Sequence, residues 1–370
     1  MHLIDSFGEV LPLLLLVFGA AALISLLITP LVRRLAIRLD NVDRPDARRV
    51  NQRPVPRGGG IGVAIAFLAV AAGLLWANDQ LALVPVPRTI DPTELVALLV
   101  GGAAATIIGV LDDTLQLRAR WQLLGQVALA AFAIALGVTV TFINNPFGSG
   151  NIQLTGLYAV GFTMVWIIGM INSINFIDGL DGLSSGIALI AAVTLGLISL
   201  TTATNQPFIA VLCFALAGAL LGFLRWNFHP ASIFIGTSGV MFVGYTLALL
   251  AILGSAKVAV ALLVLGIPII DTFWIIVRRL ATGHSPFTPD RGHIHHRLLD
   301  MGLSHGQTVL VIYGICVLLA VMSLVLSGTQ QAYAFLGLVV AFGLGLFLLT
   351  RGESGDALEA ESYEPDMPGS

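Results

Sequence analysis

The chain has 370 residues, 57% of them hydrophobic and 11% charged, with a formal net charge of −3 and a mean hydropathy of +0.93. A soluble globular protein carries about 25% charged residues, so this composition excludes one, and no nucleic-acid partner is expected. The length would hold two or three soluble domains, but apolar stretches of about 20 residues recur along it and predict one polytopic membrane domain.

At the N-terminus, Asp5 and Glu9 precede the apolar run 11–32, and Arg33 and Arg34 follow it. A secretory signal has its positive charge in front, so this segment reads as a retained first helix. Hydropathy predicts eleven spans: 11–32, 61–77, 94–111, 122–142, 155–172, 184–203, 207–224, 236–254, 257–279, 306–327 and 331–350. The loops 33–60, 112–121, 173–183, 225–235 and 280–305, with adjoining helix ends and the tail, hold sixteen of the eighteen Lys and Arg residues. Only Arg88 and Lys257 fall on the other side, and the positive-inside rule assigns the Arg-bearing loops to the cytoplasm. The acidic stretch 351–370 is poor in apolar residues and reads as a disordered cytoplasmic tail, which leaves 1–350 as a single transmembrane domain. Cys213 and Cys316 lie inside apolar stretches and read as small core residues, since neither a disulfide framework nor a CxxC site is present. The expected fold is an all-α polytopic integral membrane protein of about eleven transmembrane helices, N-terminus outside, with the site-bearing loops cytoplasmic. No inverted repeat of the transporter kind is visible.

Along this apolar chain the polar residues cluster. The first loop carries seven arginines between Arg34 and Gly58 and ends in P-R-G-G-G-I-G, where glycines let backbone N–H groups approach an anion or let helices pack closely. The third span ends in Asp112-Asp113. Adjacent helical residues point about 100° apart, so the two carboxylates cannot share a role. Arg118 and Arg120 follow, as partners for a phosphate or for the carboxylates. Asn172, Asn175, Asp178 and Asp181 recur every third residue, along one face if the segment is helical, and Gly179 and Gly182 allow close approach of a ligand. Ionisable groups at a helix centre in a bilayer cost roughly 2.5–3.5 kcal/mol each. Oxygen ligands gathered at that cost suit Mg²⁺ and a phosphate substrate. The stretch 284–305 places His293, His295 and His296 beside Arg291 and Arg297, a cationic or hydrogen-bonding patch for phosphate or sugar, with zinc as the rival. Asp271 stands alone in an apolar run, either as a site residue or as a structural partner for a neighbouring helix.

These motifs resemble the bacterial polyprenyl-phosphate N-acetylhexosamine-1-phosphate transferase family, its WecA- and TagO-like branch above all, with MraY as a relative. The resemblance rests on P-R-G-G-G at 56–60, D-D-x-x-x-L-R at 112–118, N-x-x-N-F-x-D-G-x-D-G-L at 172–183 and D-R-x-H-x-H-H-R-L at 290–298. It implies transfer of a sugar 1-phosphate from a UDP-sugar to undecaprenyl phosphate at the bacterial plasma membrane, with release of UMP, to start an envelope glycan such as lipopolysaccharide or teichoic acid linkage units. It further implies Mg²⁺, with Mn²⁺ as an alternative, and leaves room for a homodimer. By the same resemblance Asp112, Asp113 and Asp178 are catalytic, Asp112 as proton acceptor for the lipid phosphate. Asp113, Asp178 and Asp181 hold the metal. Asn172, Asn175 and Asp181, with His293, His295, His296 and Arg297, engage the nucleotide sugar. The H-I-H-H-R form is nearer to WecA and TagO than to MraY, which favours UDP-GlcNAc or a related UDP-HexNAc over UDP-MurNAc-pentapeptide.

One stretch departs from the family. Its members carry F-x-G-D-x-G-S at the mouth of the eighth span, where this chain reads F-I-G-T-S-G-V, with Thr237 in place of a metal-binding aspartate and Val240 in place of the serine. The backbone N–H groups from Gly236 to Gly239 are expected to stay available for a phosphate. Arg44, Arg48 and Arg57 are expected to guide the anionic lipid headgroup. Two other readings stay open at this point: a catalytically silent homologue that binds UDP-sugar or lipid phosphate, and an anion transporter.

Overall fold

The computed structural model describes residues 7–44, 53–87, 90–145, 150–201, 204–254, 258–281, 293–326, 330–331 and 333–341. Arg48, Arg88, Lys257, Arg291 and the tail 351–370 lie outside the described residues. The chain runs through α1 (Phe7–Arg38), α2 (Gly60–Leu81), α3 (Pro92–Leu115), α4 (Ala119–Ala135), α5 (Gly156–Ile177), α6 (Leu183–Ser199), α7 (Pro207–Asn227), α8 (Gly236–Leu253), α9 (Val258–Val264), α10 (Gly266–Ala281), α11 (Ile294–Asp300) and α12 (His305–Val325). Seven of these helices, α1, α2, α3, α5, α7, α8 and α12, are long and apolar enough to cross a membrane, and α4 and α6 are shorter apolar helices. The protein is a multi-pass membrane protein of helical architecture.

The expected spans return as helices with shifted ends. Pro92 and the reciprocal Asp91–Glu94 capping bonds start α3, and the matching Ser304–Gln307 pair starts α12. The fourth span ends at Ala135 instead of running to 142, because Gly137 takes a left-handed turn and the β-branched stretch after it forms a hairpin. That hairpin pairs β3 (Phe142–Asn144) with β4 (Asn151–Gln153), and a second short one pairs β1 (Val42–Asp43) with β2 (Val55–Pro56) in the first polar loop. The ninth span is two helices meeting at Leu265. Pro268 has no N–H for the carbonyl one turn back, and Ile269 resumes the ladder at 3.0 Å from the Leu265 carbonyl. The last span is helical over 333–341, as far as it is described.

α7 and α8 form the buried centre, with α1, α2 and α6 packed on α7 and α3 and α5 on α8. The outer side of α1 exposes Leu15, Leu16, Leu23, Leu27 and Leu31, an apolar face suited to lipid. Two glycines of the first loop serve close packing of helices. Gly59 and Gly60 donate their N–H groups to the Phe234 and Ile235 carbonyls, each at 2.8 Å. A methyl group on Gly60 would lie 2.0 Å from the Cα of Gly239, so only glycine lets α2 meet α8 here.

Candidate active site

The C-terminal ends of α3, α5 and α7 and the N-terminal ends of α2, α6, α8 and α12 meet at one end of the bundle, and the acidic clusters lie there. Asp112 and Asp113 sit in the last turn of α3 and are 8% and 5% exposed. They diverge as their helical offset requires. Asp112 Oδ1 accepts the Leu117 N–H at 3.0 Å and the Gln122 amide at 2.8 Å, which fixes the turn into α4, while Oδ2 accepts no hydrogen bond among the described residues. Asp113 points instead to the start of α8, where Oδ1 accepts the Thr237 N–H at 2.8 Å and Oδ2 the Ser238 N–H at 3.0 Å. Those two N–H groups are therefore spent on Asp113, contrary to the expectation that they stay free for a phosphate. Each carboxylate oxygen keeps a further lone pair.

The register from Asn172 to Asp181 is helical only in its first half. α5 ends at Ile177, so Asn172 and Asn175 share its face whereas Asp178 and Asp181 occupy the turn that follows. The break comes at Asp178-Gly179, and Gly182 has positive φ, which tightens the turn before α6. Asn172 is tied to α4 through Gln126, whose Oε1 accepts its amide at 2.7 Å. Gln122 and Gln126, one turn apart on α4, thus reach Asp112 and Asn172 respectively. Asn175 is half-buried on the same face.

Asp178 is half-buried, and its Oδ1 accepts the Ser184 hydroxyl at 2.5 Å. Burial pushes its pKa up to about 7; Ser184 opposes the rise, Asp113 adds to it, Arg57 opposes it and Asp181 adds to it. Three carboxylates and one guanidinium therefore act on one place. Arg57 also forms an ion pair with Asp43, which anchors it beside the site, while Arg44 pairs with Asp40 at 2.9 Å on the open surface. Arg120 stacks over its own neighbour, Trp121, rather than on a carboxylate.

The donor set fits a hard divalent cation. It is built of oxygens, its negative charge exceeds what Arg57 neutralises, and neither Asp178 Oδ2 nor Asp181 Oδ1 accepts a hydrogen bond among the described residues. Asp113 is the least free of the three expected ligands, since both its oxygens already hold α8.

The histidine segment meets this site from the side. His293 caps α11, with its Nδ1 2.7 Å from Asp271 Oδ2, and the Ile294 N–H donates to Asp271 Oδ1 at 3.0 Å. Asp271 is 1% exposed, so the lone intramembrane acid is the anchor of α11. His295 is not part of a cationic patch. It is 1% exposed, and burial holds it neutral, far below the ordinary imidazole range, with His296, His293 and His305 adding to the effect. Its two ring nitrogens find no hydrogen-bond partner among the described residues. The ring lies against the Asp178-Gly179 turn, where a methyl on Gly179 would come within 2.1 Å of Nε2. His296 and Arg297 follow on the same short helix.

Several contributors were not singled out from sequence. Ser184 binds Asp178, Tyr313 donates to the Gly182 carbonyl, and Asp181 gathers two histidines, His229 and His305. The legible signal was that His229 and His305 sit at span ends on the side that carries the aspartates. His229 Nδ1 is 2.8 Å from Asp181 Oδ2, the Ala231 N–H donates to the same oxygen at 3.0 Å, and the Asp181 N–H donates to His305 Nε2 at 2.9 Å.

Residues 95–255 match the family model described as glycosyl transferase family 4. The chain is 35% identical over 354 residues to the probable undecaprenyl-phosphate N-acetylglucosaminyl 1-phosphate transferase of Bacillus subtilis, covering 94% of this chain and 93% of that protein. It is 34% identical to the decaprenyl-phosphate N-acetylglucosaminephosphotransferase of Mycobacterium tuberculosis, over 96% of this chain and 92% of the relative. The undecaprenyl-phosphate alpha-N-acetylglucosaminyl 1-phosphate transferase of Yersinia pestis matches at 29% identity over 86% of this chain and 85% of its own length. With the acidic end of its helical bundle built from the matched segment, the chain belongs to the polyprenyl-phosphate N-acetylhexosamine-1-phosphate transferases, glycosyl transferase family 4.

Proposed function

We propose that this protein transfers GlcNAc 1-phosphate, or a related HexNAc 1-phosphate, from a UDP-sugar to undecaprenyl phosphate at the cytoplasmic face of a bacterial plasma membrane, beginning an envelope glycan. A phosphate oxygen of the lipid attacks the β-phosphorus of the UDP-sugar. One P–O bond forms, the bond to UMP breaks, and the sugar leaves on a lipid diphosphate. The observation that carries this reading is the convergence of Asp113, Asp178, Asp181 and Arg57 at one end of the bundle, where burial, with smaller additions from Asp113 and Asp181, lifts Asp178 to about 7. Mg²⁺ held by Asp178 and Asp181, with Asp113 behind them, would neutralise the diphosphate and the departing UMP.

The remaining work falls to the chain itself. The open Oδ2 of Asp112 accepts the proton of the lipid phosphate, while Oδ1 keeps the carboxylate in place through Leu117 and Gln122. Arg57, steered by Asp43, offers positive charge beside the carboxylates to an incoming phosphate. Asp271 sets α11 against the Asp178-Gly179 turn, so that His296 and Arg297 meet the nucleotide sugar from the far side. Positioning of two phosphates is the main demand that phosphoryl transfer makes on a protein.

Thr237 favours a second reading, a homologue that binds but does not turn over, because it removes one carboxylate from the α8 end of the site. The test is incubation of the purified full chain in lipid with undecaprenyl phosphate, Mg²⁺ and a panel of UDP-HexNAc donors, with UMP as the readout. Release of UMP with UDP-GlcNAc is expected. Absence of UMP with every donor would transfer the case to the second reading.

A further inference from the structure

We infer that Asp181, His229 and His305 form a second metal site, for a divalent transition ion of the zinc class, which shares Asp181 with the all-oxygen donors Asp178 and Asp113. The three side chains come from three distant parts of the chain: the turn between α5 and α6, the residues just after α7, and the first residue of α12. Each offers one ligand atom, and these atoms lie within 4.8 Å of one another. His229 Nδ1 stands 2.8 Å and His305 Nε2 4.0 Å from Asp181 Oδ2. Ligand atoms around a tetrahedral zinc with bonds of about 2.0–2.1 Å are about 3.4 Å apart, so these separations bracket the requirement.

His305 Nε2 accepts the Asp181 N–H at 2.9 Å, so that nitrogen carries no proton, and ligation would turn its lone pair from this N–H to the ion. The His229 ring stacks on that of His305, with centroids 4.1 Å apart. The Ala231 N–H holds Asp181 Oδ2 at 3.0 Å, the kind of outer contact that orients a ligating carboxylate. Binding would replace the 2.8 Å contact between His229 Nδ1 and Asp181 Oδ2 with a bond from each to the cation. Entry is open, because the His229 side chain is 45% exposed while the Asp181 and His305 side chains, at 14%, form the floor.

Two imidazoles and one carboxylate select against Mg²⁺, which prefers oxygen and near-ideal octahedral geometry, and for Zn²⁺, Co²⁺ or Ni²⁺. Three protein ligands leave a coordination position for water or a phosphate oxygen. Asp181 serves this site through Oδ2 and leaves Oδ1 on its other side.

The test is titration of the metal-stripped full chain in detergent with Co²⁺ near neutral pH, in a large excess of Mg²⁺, following the visible absorption of the bound ion. A single saturable site is expected. His229→Gln and His305→Gln should each weaken it by at least about tenfold, while His296→Gln should change it by less than about twofold. No saturable uptake, or uptake by both of the first two variants as tight as that of the unsubstituted chain, would overturn the assignment. If His305→Gln does not fold, the half-exposed His229→Gln decides alone, with thermal unfolding as the check on its integrity. The readout is metal binding, so a failure here leaves the transferase reading untouched and is told apart from it by the UMP assay.

Discussion

Asp113 and Thr237 are joined by a hydrogen bond of 2.8 Å from the Thr237 N–H to Asp113 Oδ1, across 124 positions of chain. A carboxylate at the start of a helix satisfies N–H groups that have no partner within the helix and meets the positive end of its dipole. Asp113 therefore pins α8 to α3 as well as contributing charge to the site. The bond uses the backbone of residue 237, so it does not depend on the side chain there.

Thr237→Asp should leave this bond intact and add a carboxylate to the site. Half-saturation of turnover by Mg²⁺ is expected to fall on the order of tenfold, as an extra charged ligand tightens a hard-cation site. Unchanged Mg²⁺ dependence would mean that residue 237 does not face the metal.

Asp112→Asn isolates the proton-accepting role. An amide oxygen in place of Oδ1 still accepts from Leu117 and Gln122, so the α3–α4 turn and the fold should persist. A fall in kcat of about 10²–10⁴-fold is expected for loss of a general base. Near-normal turnover in a UMP release assay would remove Asp112 from that role.

Asp178 gives a pH dependence of stated sign. Its folded-state pKa is raised to about 7 from 3.8, mainly by burial, so the folded protein favours the protonated acid more than the unfolded chain does. The penalty on the folded state is absent below the unfolded value, grows as pH rises through the interval and is complete above about 7. Asp178→Asn should therefore stabilise the metal-free protein at pH 8, by about 1–2 kcal/mol once solvent screening at a half-buried group is discounted, and lose the advantage towards pH 4. Thermal unfolding at the two pH values measures it, and Mg²⁺ should reverse the order. The same titration predicts that Mg²⁺ affinity weakens as pH drops below 7.

Asp271→Ala should unseat α11 by removing the bonds to His293 and the Ile294 N–H, both made by a residue that is 1% exposed. A cost of about 2–4 kcal/mol is expected for two buried bonds to a charged acceptor. If α11 presents the nucleotide sugar, KM for the UDP-sugar rises while that for undecaprenyl phosphate stays close to normal. Equal rises in both would assign Asp271 to fold alone.

Gly60→Ala tests the packing role of the first glycine cluster. The added methyl would sit 2.0 Å from backbone at Gly239, which no side-chain rotation relieves. Destabilisation of about 1–3 kcal/mol or more is expected, with loss of monodisperse protein in detergent. An ordinary unfolding temperature would contradict the close α2–α8 contact.

The membrane class, the approximate spans and the clustering of aspartates were legible in the residues alone, because these follow from local hydropathy and from charges that a bilayer confines to its edges. The sequence also carried the divergence of Asp112 and Asp113, which the helical repeat imposes. Tertiary structure alone decided what each polar group touches. That Asp113 holds α8, that Asp271 holds α11, that His295 is buried and neutral, and that Asp181 collects His229 and His305 all depend on contacts between residues far apart in the chain. A helix face is written in neighbours three and four residues away, whereas a hydrogen bond between helices is set by how their ends pack. The turn at Asp178 shows the boundary: spacing by threes suggested one continuous face, and glycine with the packing of α6 and α12 broke it after Ile177.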